Sequence, residues 1–154
     1  MMTDGNGGGE VPVTIVIAED DDGHARLIAE HFEEAGVTNP MVRLKDGTEA
    51  LNFFFRSGAG PGPKAEPDKP YLLLLDIKMP GMDGIEVLRR LKSDEKLRKV
   101  PVIMLTTTDD PRDVDACYAA GCNNYLTKPV AFNRFAEVIR RLGLFISVVK
   151  VSRV

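Results

Sequence analysis

Tyr71-Leu72-Leu73-Leu74-Leu75-Asp76-Ile77-Lys78-Met79-Pro80-Gly81-Met82-Asp83-Gly84 joins an unbroken apolar run to an acid and then to a turn-forming segment. A run of this length without polar interruption predicts a strand buried on both faces, as in a parallel sheet covered by helices. Asp76 then stands at the carboxyl edge of that sheet, where open α/β folds keep their chemistry. One Asp after a strand is commonly a cap or turn residue, so the ends of the other strands decide what Asp76 is for.

Outward from this segment, strand and helix patterns alternate, which predicts a parallel sheet with helices on both faces. Val13–Ala18 is the first strand. The helix from Asp22 follows it, with Leu27, Ile28, Phe32 and Ala35 on its apolar face and Gly36 as its stop. Residues 40–44 form the second strand, and residues 47–56 a helix built on Ala50, Leu51, Phe53, Phe54 and Phe55. The stretch SGAGPGPKAEPDKP, residues 57–70, is too rich in Gly and Pro for regular structure and is expected to be a loop insertion. After the strand ending at Asp76 comes a helix on Ile85, Leu88 and Leu91, then a fourth strand at residues 100–105. Asp110 and Pro111 cap and open the next helix. Asn124–Thr127 is the fifth strand, and Phe132, Phe135, Ile139 and Leu142 line the last helix. Residues 1–10 are Gly-rich and are expected to be a disordered tail.

The chain has 154 residues, 44% of them hydrophobic, and a net charge of −3. One domain of this size buries about 70% of the surface its unfolded chain exposes. The acidic balance argues against nucleic acid as a partner, and no apolar run is long enough to span a bilayer. Cys117 and Cys122 cannot make a multi-bridge framework and are expected to be core filler in a cytoplasmic protein.

Four strand ends converge: Glu19-Asp20-Asp21-Asp22, Asp76, Thr106-Thr107-Thr108 and Lys128-Pro129. Parallel strands place all four on one edge. One carboxylate, with Asp22 the candidate, suffices to cap a helix, so the acidic run exceeds what capping needs. Carboxylates from two strand ends repel each other unless a cation sits between them, and hard oxygen ligands favour Mg²⁺, with Mn²⁺ the alternative. A cation beside Asp76, with the Thr106 hydroxyl and the Lys128 ammonium close by, suits transfer of a phosphoryl group to Asp76 as nucleophile.

On these motifs, Glu19-Asp20, LLLLDIKMPGMDG, PVIMLTT and YLTKP, residues 12–142 resemble the receiver domain of two-component response regulators. The resemblance implies a flavodoxin-like, doubly wound (βα)5 fold with five parallel strands, covering residues 11–143. It implies Asp76 as phosphoacceptor and Asp20 as a direct metal ligand, with Glu19 acting through water and the Lys78 backbone carbonyl as a third protein ligand. It makes Thr106 and Lys128 the phosphoryl partners, Lys128-Pro129 a cis peptide, and Thr106 with Tyr125 the switch. Lys78 and Thr108 fall where side chains tune hydrolysis of the aspartyl phosphate. The implied activity is self-catalysed phosphorylation and dephosphorylation, with no turnover of an external metabolite.

Residues 144–154 are expected to be an apolar extension, either continuing the last helix or running as a strand, and no output domain is expected after the receiver core. With this tail and the long loop before the third strand, the chain is similar to the small response regulators partnered with bacterial phytochrome histidine kinases. That similarity implies a histidine kinase partner and a homodimer through the fourth helix, fifth strand, fifth helix and tail. Two other classes fit less well. A haloacid-dehalogenase-type phosphohydrolase wants an Asp where Lys78 stands, and a flavodoxin-like cofactor carrier needs backbone donors for phosphate where Glu19–Asp22 would repel it.

Overall fold

A computed structural model describes residues 11–58, 60, 62–107 and 110–147, with side chains described through residue 141. The elements follow in strict alternation: β1 (Thr14–Ala18), α1 (Asp22–Glu34), β2 (Met41–Leu44), α2 (Gly47–Phe55), β3 (Tyr71–Asp76), α3 (Gly84–Lys92), β4 (Val102–Thr106), α4 (Pro111–Ala119), β5 (Asn124–Thr127) and α5 (Phe132–Ser147). A 3₁₀ turn at Leu97–Lys99 lies between α3 and β4. All five strands are parallel in one sheet of order β2-β1-β3-β4-β5, the flavodoxin-like topology expected from the sequence.

The two-residue period of the strands divides the core into two layers. Val16, Ala18, Leu73, Leu75, Val102 and Met104 meet Phe53 and Phe54 of α2, Val87, Leu88 and Leu91 of α3 and Cys117 of α4. Ile15, Ile17, Leu72, Leu74, Ile103 and Leu105 face the other way, onto Ile28 and Phe32 of α1 and Phe135, Val138 and Ile139 of α5. Every residue of β3 is buried, which is why that strand reads as a continuous apolar run rather than an alternating one. Both cysteines are free and buried, as core filler requires.

Several helix faces are rotated from the expected ones. α1 buries Ala25, Ile28, His31 and Phe32, leaving Leu27 half-buried and Ala35 exposed. Its cap is Asp21, whose carboxylate accepts the His24 N–H at 2.8 Å, and not Asp22. Phe55 ends α2 and is 39% exposed, because Arg56 closes the helix in a left-handed conformation and turns the chain away. In α3 and α5, Val87 and Val138 join the core, while Ile85 and Phe132 are half-buried. Asp110 does cap α4, accepting the Arg112 N–H at 2.9 Å, and Pro111 opens it.

Among the described residues of the 57–70 insertion there is no helix or strand, yet its second half is tied down. Ala65 is buried and donates its N–H to the Phe53 carbonyl at 2.9 Å, and the Glu66 N–H donates to the Tyr71 hydroxyl at 2.8 Å. α5 passes through Gly143 to Ser147, so the first residues of the apolar tail continue the helix and are not a strand. The expectations for residues 1–10 and 148–154 lie outside the described residues. No described helix is long and apolar enough to cross a membrane.

Candidate functional site

The carboxyl ends of β1, β3, β4 and β5 come together as the parallel topology requires. Ala18 and Leu75 are register partners, so Glu19 and Asp76 emerge side by side. Glu19, Asp20 and Asp76 each offer a carboxylate oxygen within 4.8 Å of the others. Glu19 and Asp76 are buried, whereas Asp20 is exposed and closes the cluster from the solvent side.

Lys128 reaches this cluster from the end of β5. Its side chain is 6% exposed, and the ammonium donates to Glu19 Oε1 at 2.8 Å and to Asp76 Oδ2 at 3.1 Å. The Lys128 N–H also donates to the Thr106 carbonyl at 2.6 Å, fixing the end of β5 to the end of β4, and the Lys128-Pro129 peptide is cis. Thr106 is the buried last residue of β4. Glu19 Oε2 accepts the Asp21 N–H at 3.0 Å, so both oxygens of that side chain are engaged within the protein.

The turn after Asp76 is shaped by two glycines. Gly81 takes a positive φ of 79°, and Gly84 opens α3 directly on the backbone of β3. A Cβ at Gly84 would collide with the Asp76 carbonyl oxygen and lie 3.0 Å from the Ile77 Cα. The Gly84 N–H instead donates to the Ile77 carbonyl at 2.7 Å, and Asp83 caps the helix through the Ile85 and Glu86 N–H groups. The tight return of the chain therefore depends on Gly84 having no side chain.

The charges explain the local electrostatics. Burial, then the negative charge of Glu19, push the Asp76 carboxyl up to about 7 against the pull of Lys128. Burial disfavours the Lys128 ammonium, but its hydrogen bonds and charge pairing with Glu19 and Asp76 outweigh this and hold it above the usual lysine range. Three carboxylates against one ammonium leave the cluster short of positive charge, and its donors are all hard oxygens, so the residues present fit a divalent cation.

A profile of the response regulator receiver domain matches residues 15–140, taking in all four strand ends. The chain belongs to this family. This receiver domain is 34% identical over 117 residues to response regulator Rcp1 of Synechocystis sp., covering 76% of this chain and 77% of that protein. The solved Mn²⁺-bound form of Rcp1 superposes with a TM-score of 0.72 at 30% identity, covering 91% of this chain and 99% of that one. A receiver domain structure from Rhodospirillum rubrum is 46% identical with a TM-score of 0.74, covering 91% and 97% of the two chains. The bacteriophytochrome response regulator RtBRR gives a TM-score of 0.75 at 33% identity, covering 92% of this receiver and 84% of that chain.

Of the residues singled out in the sequence, the structure brings Glu19, Asp20, Asp76, Thr106 and Lys128 to one edge. Lys78 is exposed two residues beyond Asp76, and Thr108 lies outside the described residues. Tyr125 is half-buried in β5, its ring edge-on to Tyr118 with centroids 6.0 Å apart. Sequence reasoning missed Gly84 and two further residues. His31 Nε2 donates at 2.7 Å to the Val130 carbonyl, two residues past Lys128; because a carbonyl only accepts, that nitrogen carries the proton. Arg43 on β2 contacts the acidic loop itself. A charged side chain inside the otherwise apolar strand Met41–Leu44 was the available signal for Arg43.

Proposed function

We propose that this receiver takes a phosphoryl group onto Asp76 from the phosphohistidine of a histidine kinase, with Mg²⁺, or Mn²⁺ in its place, held at Glu19, Asp20 and Asp76. The observation that carries the proposal is the carboxylate cluster bridged by Lys128 at the carboxyl edge of the sheet. When bound, the cation neutralises the carboxylates and the phosphoryl oxygens, which lets the buried Asp76 stay ionised near neutral pH. An Asp76 oxygen attacks phosphorus as the phosphorus–nitrogen bond of the phosphohistidine breaks, and the imidazole leaves with the bonding pair. Lys128 then pairs with the phosphoryl group, and the Thr106 hydroxyl donates to it.

Asp20, exposed at the rim of the cluster, suits direct ligation, while Glu19, held by Lys128 and the Asp21 N–H, suits a role through water. The Lys78 carbonyl is the third protein ligand in this scheme. The Lys78 and Thr108 side chains tune access of water to the phosphoryl group. Thr106 and Tyr125 carry the switch, biasing a two-state equilibrium of the face made by α4, β5 and α5. That face, with the C-terminal tail, is the proposed homodimer surface, and likeness to RtBRR supports a bacteriophytochrome-type kinase as partner. The proposed compartment is the cytoplasm, in keeping with two free cysteines.

Intact mass after incubation with acetyl phosphate and Mg²⁺ tests the assignment. One phosphoryl increment is expected on the native protein and none on Asp76→Asn; an increment retained by the variant would overturn it.

A further inference from the structure

The acidic loop after β1 has a charged brace on the neighbouring edge strand. Arg43 Nε donates to the Glu19 carbonyl at 2.8 Å and Arg43 Nη1 to Asp22 Oδ1 at 2.9 Å. The next residue, Leu44, accepts the Glu19 N–H at 3.0 Å. Both backbone polar groups of Glu19 are thus anchored to two successive residues of β2, and the carbonyl that Arg43 holds belongs to the Glu19–Asp20 peptide. The orientation of that peptide sets where the Asp20 carboxylate points. Through Asp22 the guanidinium also pairs with one member of a run of four acids, Glu19 to Asp22, and so offsets part of their mutual repulsion when no cation is bound. The fork spans a backbone carbonyl and a carboxylate, a geometry that a lysine cannot reproduce.

We infer that Arg43 is a positioning residue for the cation site: it holds the Glu19–Asp20 peptide in its ligating orientation before the cation arrives. This inference rests on the metal-dependent phosphoacceptor reading above. Outer-shell residues that orient ligands characteristically affect metal affinity rather than the chemistry of the filled site. A positive charge near a cation site also repels the cation, so positioning and charge predict opposite effects on affinity.

Mg²⁺ titration of the metal-free protein by isothermal calorimetry, on native, Arg43→Lys and Arg43→Gln chains, separates the two. Arg43→Lys keeps the charge and loses the fork; its affinity is expected to fall about 10-fold. At saturating Mg²⁺ the rate of acetyl phosphate labelling should return to the native value, and exchange of the Asp21 amide, faster in the metal-free variant, should slow again. Native affinity in Arg43→Lys, or tighter binding in Arg43→Gln, would overturn the inference by showing charge alone at work. A labelling rate still depressed at saturation in a folded variant would overturn it too, since a general structural defect is not repaired by metal. Absence of Mg²⁺ binding by the native protein would instead sink the cation reading on which the inference stands.

Discussion

Replacing Asp76 with Asn keeps the shape of the side chain and removes its charge, which makes the electrostatic cost of the site measurable. The Asp76 carboxyl is pushed from 3.8 up to about 7, first by burial and then by Glu19. A folded-state pKa above the unfolded one means that the native state holds the extra proton across that interval. Stability therefore falls as pH rises from about 4 to about 7 and levels off above it. Three units at ~1.4 kcal/mol each set a ceiling of about 4 kcal/mol, and solvent screening at the sheet edge reduces this to about 2 kcal/mol. Lys128, held above the usual lysine range, stays charged throughout and adds nothing to the slope. Urea denaturation without divalent cations should show the native protein losing about 1 kcal/mol, the part of that window lying above about pH 5, between about pH 5 and about pH 8 relative to Asp76→Asn. Added Mg²⁺ should restore most of that loss in the native protein and less in the variant, because only the ionised carboxylate gains from the cation. Equal pH slopes in the two chains would refute the assignment of the strain to Asp76.

Two further perturbations probe the frame around the site. Gly84→Ala forces a Cβ into the Asp76 carbonyl and should cost about 1–3 kcal/mol in urea denaturation, with weaker Mg²⁺ binding because the Asp76–Lys78 turn is displaced; native stability would show that α3 can shift without cost. His31→Leu preserves bulk between Phe132 and Phe135 but leaves the Val130 carbonyl without its donor. It should lose about 1–3 kcal/mol and speed amide exchange at Lys128, and unchanged exchange there would show that His31 does not steady the Lys128 arm.

The site was legible where chain order and strand ends coincide. Glu19, Asp20, Asp76, Thr106 and Lys128 each follow or close an apolar run, so recognising five strands was enough to predict their meeting. Helix faces were less legible. Periodicity marks a stripe about 100° wide but not its centre, so Leu27 and Ala35 were expected in the core where the structure puts Ala25 and His31. His31 was overlooked because a histidine counts as polar until a buried acceptor such as the Val130 carbonyl is known. Asp22 was the acid weighed as a cap candidate, yet Asp21 takes that role, since a run of acids does not say which one has extended backbone.

The order of elements, the burial of β3 on both faces and the gathering of strand-end residues at one edge follow from local patterns: apolar runs, turn residues, and the rule that parallel strands share a carboxyl edge. Contacts between residues distant in the chain belong to the folded state alone. Lys128 lies 109 residues from Glu19, and only the packed sheet makes their 2.8 Å pair and the high Asp76 pKa that accompanies it. The Arg43 fork and the backbone approach at Gly84 are of the same kind: each depends on which strand is a neighbour and at what register, and one-dimensional hydrophobic patterning carries neither.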